Sequence, residues 1–80
     1  MTLSNGEVTA VKILIVDDEA INRTLLTNML YSAGYKHCIE AVNGEEAIQH
    51  FIEEQPDLVL LDVVMPGLSG FDVAVQIRQL

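Results

Sequence analysis

Several residue types are scarce in this 80-residue chain, and each scarcity excludes a class of protein. Tryptophan is absent, and Cys38 is the single cysteine. One cysteine cannot form a disulfide within the chain or a zinc cluster, so we interpret Cys38 as a small buried hydrophobe on a strand. No apolar stretch is long enough to cross a bilayer. Residues 1–10 have neither a basic start nor an apolar segment, which is unlike a signal peptide, so the expected compartment is the cytoplasm.

Basic residues are scarce as well. Twelve Asp and Glu stand against four Lys and Arg, which gives a net charge of −8. Binding to nucleic acid depends on basic side chains that neutralise phosphates, and attachment to anionic membranes also depends on basic residues. We therefore expect neither as a partner. An acidic domain instead suits a cation, or a protein that carries a basic patch.

Hydrophobic residues make up 50% of the chain, which predicts a folded core in one small domain. Apolar patterning and breaker residues predict alternating elements: strand 11–16, helix 21–33, strand 36–42, helix 45–55, strand 58–61 and helix 70–80. Strands and helices that alternate with short loops predict an α/β fold with a parallel sheet. The second strand is interrupted by charged residues and is expected at an edge of that sheet. Residues 1–10 are expected to form a flexible leader, and residues 11–80 the domain.

The predicted helices carry apolar residues at helical spacing that should face the sheet. The residues expected to face inward are Ile21, Leu25, Leu26, Met29, Leu30 and Ala33 on the first helix, Ala47, Ile48, Phe51 and Ile52 on the second, and Phe71, Ala74, Val75 and Ile77 on the third. Gly34 fits the position after a helix, and Ser69 is a plausible cap. Asn43 and Gly44 predict a turn. For Arg23 we favour an exposed position over an approach to the acidic residues.

Two of the predicted strands end in acidic residues. Asp17 and Asp18 follow the first strand, and Asp62 follows the third. The carboxyl ends of parallel strands share one edge of the sheet, where ligands gather in open α/β folds, so the three carboxylates should converge. A divalent cation would relieve their repulsion, and oxygen ligands favour Mg²⁺ or Ca²⁺. The alternative is structural: Asp62 would form a turn, Asp18 would cap the following helix, and Asp17 would be a solvated acid.

A bound Mg²⁺ could hold a phosphoryl group in line with a carboxylate oxygen. Asp62 stands alone at the end of its strand and is therefore the better nucleophile candidate. A phosphohydrolase that uses an aspartyl phosphate would need a second acid at position 64, which is Val64. A dinucleotide-binding domain would need a glycine-rich turn after the first strand, where the acidic residues stand instead.

Residues 12–19 (KILIVDDE), 43–47 (NGEEA) and 56–70 (PDLVLLDVVMPGLSG) carry a family resemblance. Residues 11–80 resemble the receiver domain of bacterial two-component response regulators. This resemblance implies a flavodoxin-like doubly wound sheet, in which the first three strands take the order 2-1-3. It implies a signalling module rather than an enzyme. The phosphate donor would be a histidine kinase or a phosphotransfer protein.

The resemblance also assigns roles to individual residues. Asp62 would be the phosphoacceptor, and Asp18 and Asp62 would bind Mg²⁺ directly. The backbone carbonyl of Val64 would be a further ligand, and Asp17 would assist.

A family receiver continues for two more strands and helices, which supply a Ser or Thr and a Lys that contact the phosphoryl group. This sequence stops after the third predicted helix, so the resemblance implies a receiver shortened at that point. The strand that precedes Asp62 would then have an open, hydrophobic edge, which predicts a homo-oligomer formed through that edge. A self-associating receiver fragment with no switching and no phosphotransfer output is therefore the alternative function.

Overall fold

The structure is a computed structural model that describes residues 10–62, 67 and 69–80. Its elements are β1 (Lys12–Val16), α1 (Ala20–Ser32), β2 (His37–Ala41), α2 (Gly44–Glu54), β3 (Leu58–Leu61) and α3 (Gly70–Arg78). The predicted order of elements is confirmed, and each boundary lies within two residues of its expected place. The proposed leader, apart from Ala10, lies outside the described residues. No helix among those described combines the length and apolar character that crossing a membrane would require.

The three strands form one parallel sheet in the order β2-β1-β3. Val16, the last residue of β1, lies opposite Ala41 on one side and Leu61 on the other. The central strand is fully covered, because each residue from Ile13 to Val16 is at most 1% exposed. The flavodoxin-like strand order and the edge position of β2 are therefore as predicted.

The main core lies on the face of the sheet that α2 and α3 cover. Its buried residues are Leu14, Val16, Ala41, Ala47 and Val73, with Ile39, Ile48, Phe51, Val59, Leu61 and Ile77 packed around them. Successive residues of a strand point to opposite faces, so Ile13 and Ile15 point to the other face, where α1 contacts β1. The core is thus aliphatic apart from Phe51.

The inward face predicted for α1 is partly wrong. Ile21, Leu25 and Met29 are 68%, 56% and 67% exposed, and Ala33 is exposed just beyond the end of the helix. The partly buried positions of α1 include Leu26 and Leu30, as predicted, but also polar residues: Asn22, Arg23 and Thr27. The apolar stripe is wider than the contact with this three-stranded sheet, and the helix is rotated so that its polar positions take part in that contact.

The inward face predicted for α3 is also partly wrong, because Phe71 is 71% and Val75 56% exposed. The helix is turned so that Gly70 and Val73 are buried, and Ile77 packs on the core one turn later. These residues follow the spacing i, i+3, i+7 of a single helical stripe, and Phe71 and Val75 lie beside that stripe. In α2, Ala47, Ile48 and Phe51 face inward as predicted, but Ile52 is exposed.

Side-chain caps and left-handed residues fix the helix ends. Ser69 caps α3 as predicted: its Oγ accepts a hydrogen bond from the Asp72 amide at 3.2 Å, and the Asp72 carboxylate accepts one from the Ser69 amide at 3.3 Å. Asn43 is a helix cap and not only a turn residue, because its Oδ1 accepts from the Glu46 amide at 2.8 Å and α2 begins at Gly44. Gly34 follows α1 with a φ of 101°, a conformation that favours glycine.

Candidate metal centre

The carboxyl ends of β1 and β3 bring three carboxylates together. One oxygen each from Asp17, Asp18 and Asp62 lies within 4.8 Å of the others. The Asp62 amide donates to the Val16 carbonyl at 2.9 Å, which holds the two strand ends side by side. The convergence expected from the sequence is therefore present, whereas the roles of the three side chains stay predictions.

Asp17 is firmly held within this acidic cluster (Asp17, Asp18 and Asp62). It is 8% exposed, and its amide donates to the Ala41 carbonyl of β2 at 3.2 Å. Its Oδ1 accepts a hydrogen bond from the Glu19 amide at 2.9 Å. An ionised carboxylate has about four acceptor positions, so this bond leaves capacity for a cation. The surrounding backbone thus fixes the Asp17 side chain and leaves acceptor positions on its carboxylate free for a cation.

Asp18 and Asp62 have different environments. Asp18 is exposed, and the structural alternative of a helix cap is wrong for it: the N-cap position of α1 is Glu19, with no side-chain capping bond. Asp62 is half-buried at the end of β3. The cluster therefore combines one buried, one half-buried and one solvent-facing carboxylate. An approaching ligand would meet Asp18 first.

Arg23 is a functional candidate that the sequence reasoning placed wrongly. Its side chain is only 14% exposed. The guanidinium Nη1 donates to the Asp17 carbonyl at 2.8 Å, and Nε donates to the Glu40 carboxylate at 3.0 Å. A signal was present in the sequence: Glu40 interrupts the apolar pattern of β2, and Arg23 is the only charged residue of α1.

The donor set fits a hard divalent cation. All three ligand atoms are carboxylate oxygens, with no His or Cys in the cluster. Mg²⁺ binds oxygens at about 2.1 Å and usually keeps several waters, so adjacent octahedral ligands stand about 3 Å apart and opposite ligands about 4 Å apart. The three oxygens lie within 4.8 Å of one another, a limit only slightly wider than such a coordination shell. Val64, whose carbonyl the family resemblance makes a further ligand, lies outside the described residues.

The basic residues Lys12 and Lys36 lie at the opposite end of the sheet from the acidic cluster. Lys12 begins β1, and its Nζ donates to the Glu54 carbonyl at 3.2 Å and lies 3.5 Å from the Glu54 carboxylate. This places the ammonium group at the carboxyl end of α2, where the helix dipole favours a positive charge. Lys36 immediately precedes β2, at the same end of the sheet. Neither lysine is positioned to neutralise the acidic cluster.

Comparison with known proteins shows what the chain is similar to. The family model of the response regulator receiver domain matches residues 13–80. The chemotaxis protein CheY of Thermotoga maritima is 39% identical over 69 residues, a match that covers 86% of this chain and 58% of that protein. The chain thus spans little more than half the length of this relative.

Solved structures agree with the sequence match. The response regulator protein TrrA of Thermotoga maritima, solved in complex with Mg(2+)-BeF, aligns with a TM-score of 0.82 and 48% identity, covering 86% of this chain and 59% of that one. A chain in the structure of the histidine kinase ThkA in complex with TrrA also aligns with this chain, with a TM-score of 0.80 and 48% identity. The alignment covers 86% of this chain and 59% of that one.

Proposed function

The chain belongs to the response regulator receiver domain family, and we propose that it is a phosphoacceptor module in which Asp62 takes a phosphoryl group from a phosphohistidine. Receiver domains are signalling modules of two-component systems. The observation that carries the proposal is the convergence of Asp17, Asp18 and Asp62 at the carboxyl ends of two neighbouring parallel strands. In open parallel sheets this is the edge where ligands bind.

Asp62 is the proposed nucleophile. One of its carboxylate oxygens would form a bond to phosphorus while the bond between phosphorus and the histidine nitrogen breaks. The nitrogen keeps the electron pair of the broken bond, and the ring leaves as neutral imidazole because the other ring nitrogen of the phosphohistidine already carries a proton. Catalysis of such transfers depends mainly on positioning and charge stabilisation. The hydrogen bond from the Asp62 amide to the Val16 carbonyl supports that positioning, because it ties the nucleophile to the central strand.

The acidic cluster is the proposed Mg²⁺ site. Asp18 and Asp62 would be direct ligands with the Val64 carbonyl, and Asp17 would assist. When bound, the cation would neutralise charge on the phosphoryl oxygens and on the attacking carboxylate. The solvent-facing Asp18 leaves the outer side of the site open to an incoming phosphoryl group. The relative TrrA, solved with Mg(2+)-BeF, supports this assignment.

The proposed phosphate donor is a histidine kinase or a phosphotransfer protein. TrrA is seen in complex with the histidine kinase ThkA, and this chain is 48% identical to the matched chain. A net charge of −8 would favour a donor whose docking surface is basic around its histidine.

Acetyl phosphate provides a direct test of Asp62. We expect the chain to gain the mass of one phosphoryl group in the presence of Mg²⁺, and to gain none when the Mg²⁺ is chelated before acetyl phosphate is added. The variant D62N should not be labelled. D57N is a matched control, because Asp57 precedes the same strand at its other end, and Asn keeps an acceptor for the Lys12 amide that Asp57 binds at 2.9 Å. Labelling of D62N, or no labelling of the natural chain, would contradict the proposal.

The second candidate is a self-associating receiver that passes on no phosphate. It is favoured by the free edge of β3, which pairs only with β1 among the described strands. Leu58, at the start of that edge, is 48% exposed. An unpaired strand edge is a template for pairing with another chain. Association without Mg²⁺-dependent labelling would favour this candidate over the first.

A further inference from the structure

Arg23 joins the acidic cluster to the second strand. We propose that Arg23 is a positioning residue that sets the Mg²⁺ affinity of the cluster by holding the backbone between Asp17 and Asp18. This inference rests on the proposed Mg²⁺ site and adds a residue to it. The Arg23 side chain is 14% exposed, and it bonds to the Asp17 carbonyl just after β1 and to the Glu40 carboxylate on β2.

The bond to the Asp17 carbonyl acts on Asp18 through the peptide plane. The carbonyl of Asp17 and the amide and Cα of Asp18 belong to one planar peptide unit. Nη1 of Arg23 lies 2.8 Å from that carbonyl oxygen, so it restrains the plane from which the Asp18 side chain starts. Asp18 is exposed, and its own side chain forms none of the hydrogen bonds found among the described residues. Restraint of its backbone is therefore the main way to fix its position.

The same bond completes the support of Asp17. Its amide is held by the Ala41 carbonyl and its Oδ1 by the Glu19 amide. Arg23 supplies the third contact, on the carbonyl. Glu40 in turn holds Nε of Arg23 at 3.0 Å, which fixes the guanidinium in place and offsets its charge. One side chain thus links the end of β1, the start of α1 and the edge strand β2.

Charge and positioning predict opposite results when Arg23 is neutralised. A positive group beside an acidic cluster repels a cation, so loss of its charge alone would strengthen Mg²⁺ binding. Loss of the hydrogen bond would loosen the proposed ligand Asp18 and the assisting Asp17, and so would weaken binding. The sign of the change therefore separates the two effects. A role in stability alone would leave the affinity of the folded chain unchanged.

The experiment is a Mg²⁺ titration of the full ¹⁵N-labelled chain followed by NMR. For R23Q we expect the Kd for Mg²⁺ to rise about tenfold, the size of effect seen when groups that orient metal ligands are removed. R78Q is the matched control, because it removes the same charge from the last turn of α3, where Arg78 is exposed. Its Kd should be equal to or slightly below that of the natural chain.

R23K tests the geometry at constant charge. A lysine ammonium lacks the planar fork that lets arginine bond to two acceptors in fixed directions, so R23K should also weaken Mg²⁺ binding, about threefold or more. If the NMR spectrum of R23Q loses the dispersion of a folded chain, the Mg²⁺ affinity of R23K becomes the test of the role of Arg23.

The titrations test the role of Arg23 and the existence of the Mg²⁺ site separately. The role of Arg23 would be overturned if a folded R23Q variant bound Mg²⁺ at least as tightly as the natural chain. If R23Q does not fold, the same result for R23K would overturn it. In both cases the metal site itself would stand. If the natural chain binds no Mg²⁺ at all, both the metal site and the role of Arg23 are overturned.

Discussion

Cys38 shows how its surroundings set the chemistry of one residue. It is half-buried in β2, and its Sγ donates to the Tyr35 carbonyl at 3.7 Å. Burial raises the pKa of the Cys38 thiol above its usual value of 9.0, and the nearby Glu40 carboxylate raises this pKa further. Both causes disfavour the thiolate, which is the reactive form. The strand position agrees with the sequence interpretation, although the burial is only partial.

The raised pKa predicts a slow, pH-dependent alkylation of Cys38. We expect the rate with iodoacetamide to rise with pH at a midpoint above that of the chain unfolded in urea. E40Q should lower this midpoint but not to the unfolded value, because burial is the larger cause and remains. Since Cys38 is the only cysteine, the readout is unambiguous. Equal midpoints for the folded and unfolded chains would contradict the prediction.

The same shift has a consequence for stability. The folded state holds the thiol proton more tightly than the unfolded state. The protonated Cys38 thiol therefore adds to the free energy of unfolding. This contribution is fully present below about pH 9 and is lost as the pH rises through the pKa of the thiol in the folded chain. Urea titrations at a series of alkaline pH values, compared with those of C38A, would detect this loss.

The candidate site shows which residues a sequence can predict. Asp17, Asp18 and Asp62 were predicted to converge because the ends of parallel strands share one edge whatever the side-chain details are. Arg23 was misplaced because its partners lie 6 residues back at Asp17 and 17 residues ahead at Glu40. Such a contact depends on the register between β1 and β2 and on the rotation of α1, and neither follows from local pattern.

Among the elements, strands were predicted more accurately than helix faces. The unbroken apolar runs of β1 and β3 were both interpreted correctly as strands, although β1 is buried from Ile13 to Val16 whereas β3 is only partly buried after an exposed Leu58. The helices carry apolar residues around more of their circumference than one contact can bury, so the pattern alone leaves their rotation open. In α3 both Val73 and Val75 are apolar, yet Val73 is 0% and Val75 56% exposed. Which of the two enters the core is decided by packing against α2 and the sheet.

This difference predicts the effects of two equivalent substitutions in α3. V73A should lower the free energy of unfolding by about 2 kcal/mol, because it removes two buried methyl groups and leaves a cavity in the core. V75A is the matched control on the same helix and should change it by less than about 0.5 kcal/mol. Urea unfolding followed by circular dichroism measures both values. Equal losses from the two variants would mean that α3 is rotated differently from the structure described.

At the scale of the whole molecule, the strands that the structure describes leave the outer edge of β3 without a strand neighbour among them. The described strands end at β3, whose only strand neighbour among them is β1. The backbone groups along the other side of β3 are then available to a second chain. Opposing this, each chain carries a net charge of −8, so two copies repel each other at low ionic strength. Association is thus a balance between edge pairing and charge, and salt should shift it.

We therefore expect size-exclusion chromatography with light scattering to show dimers or larger species whose fraction rises with NaCl concentration, since salt screens the repulsion. L58K should shift the chain toward monomer, because it puts a charge on the half-exposed start of the β3 edge. F71K is the matched control: it adds the same charge at an exposed apolar position of α3 and leaves the strand edge unchanged. A monomer at every concentration and salt would refute the association. Dissociation by F71K but not by L58K would place the contact on α3 instead.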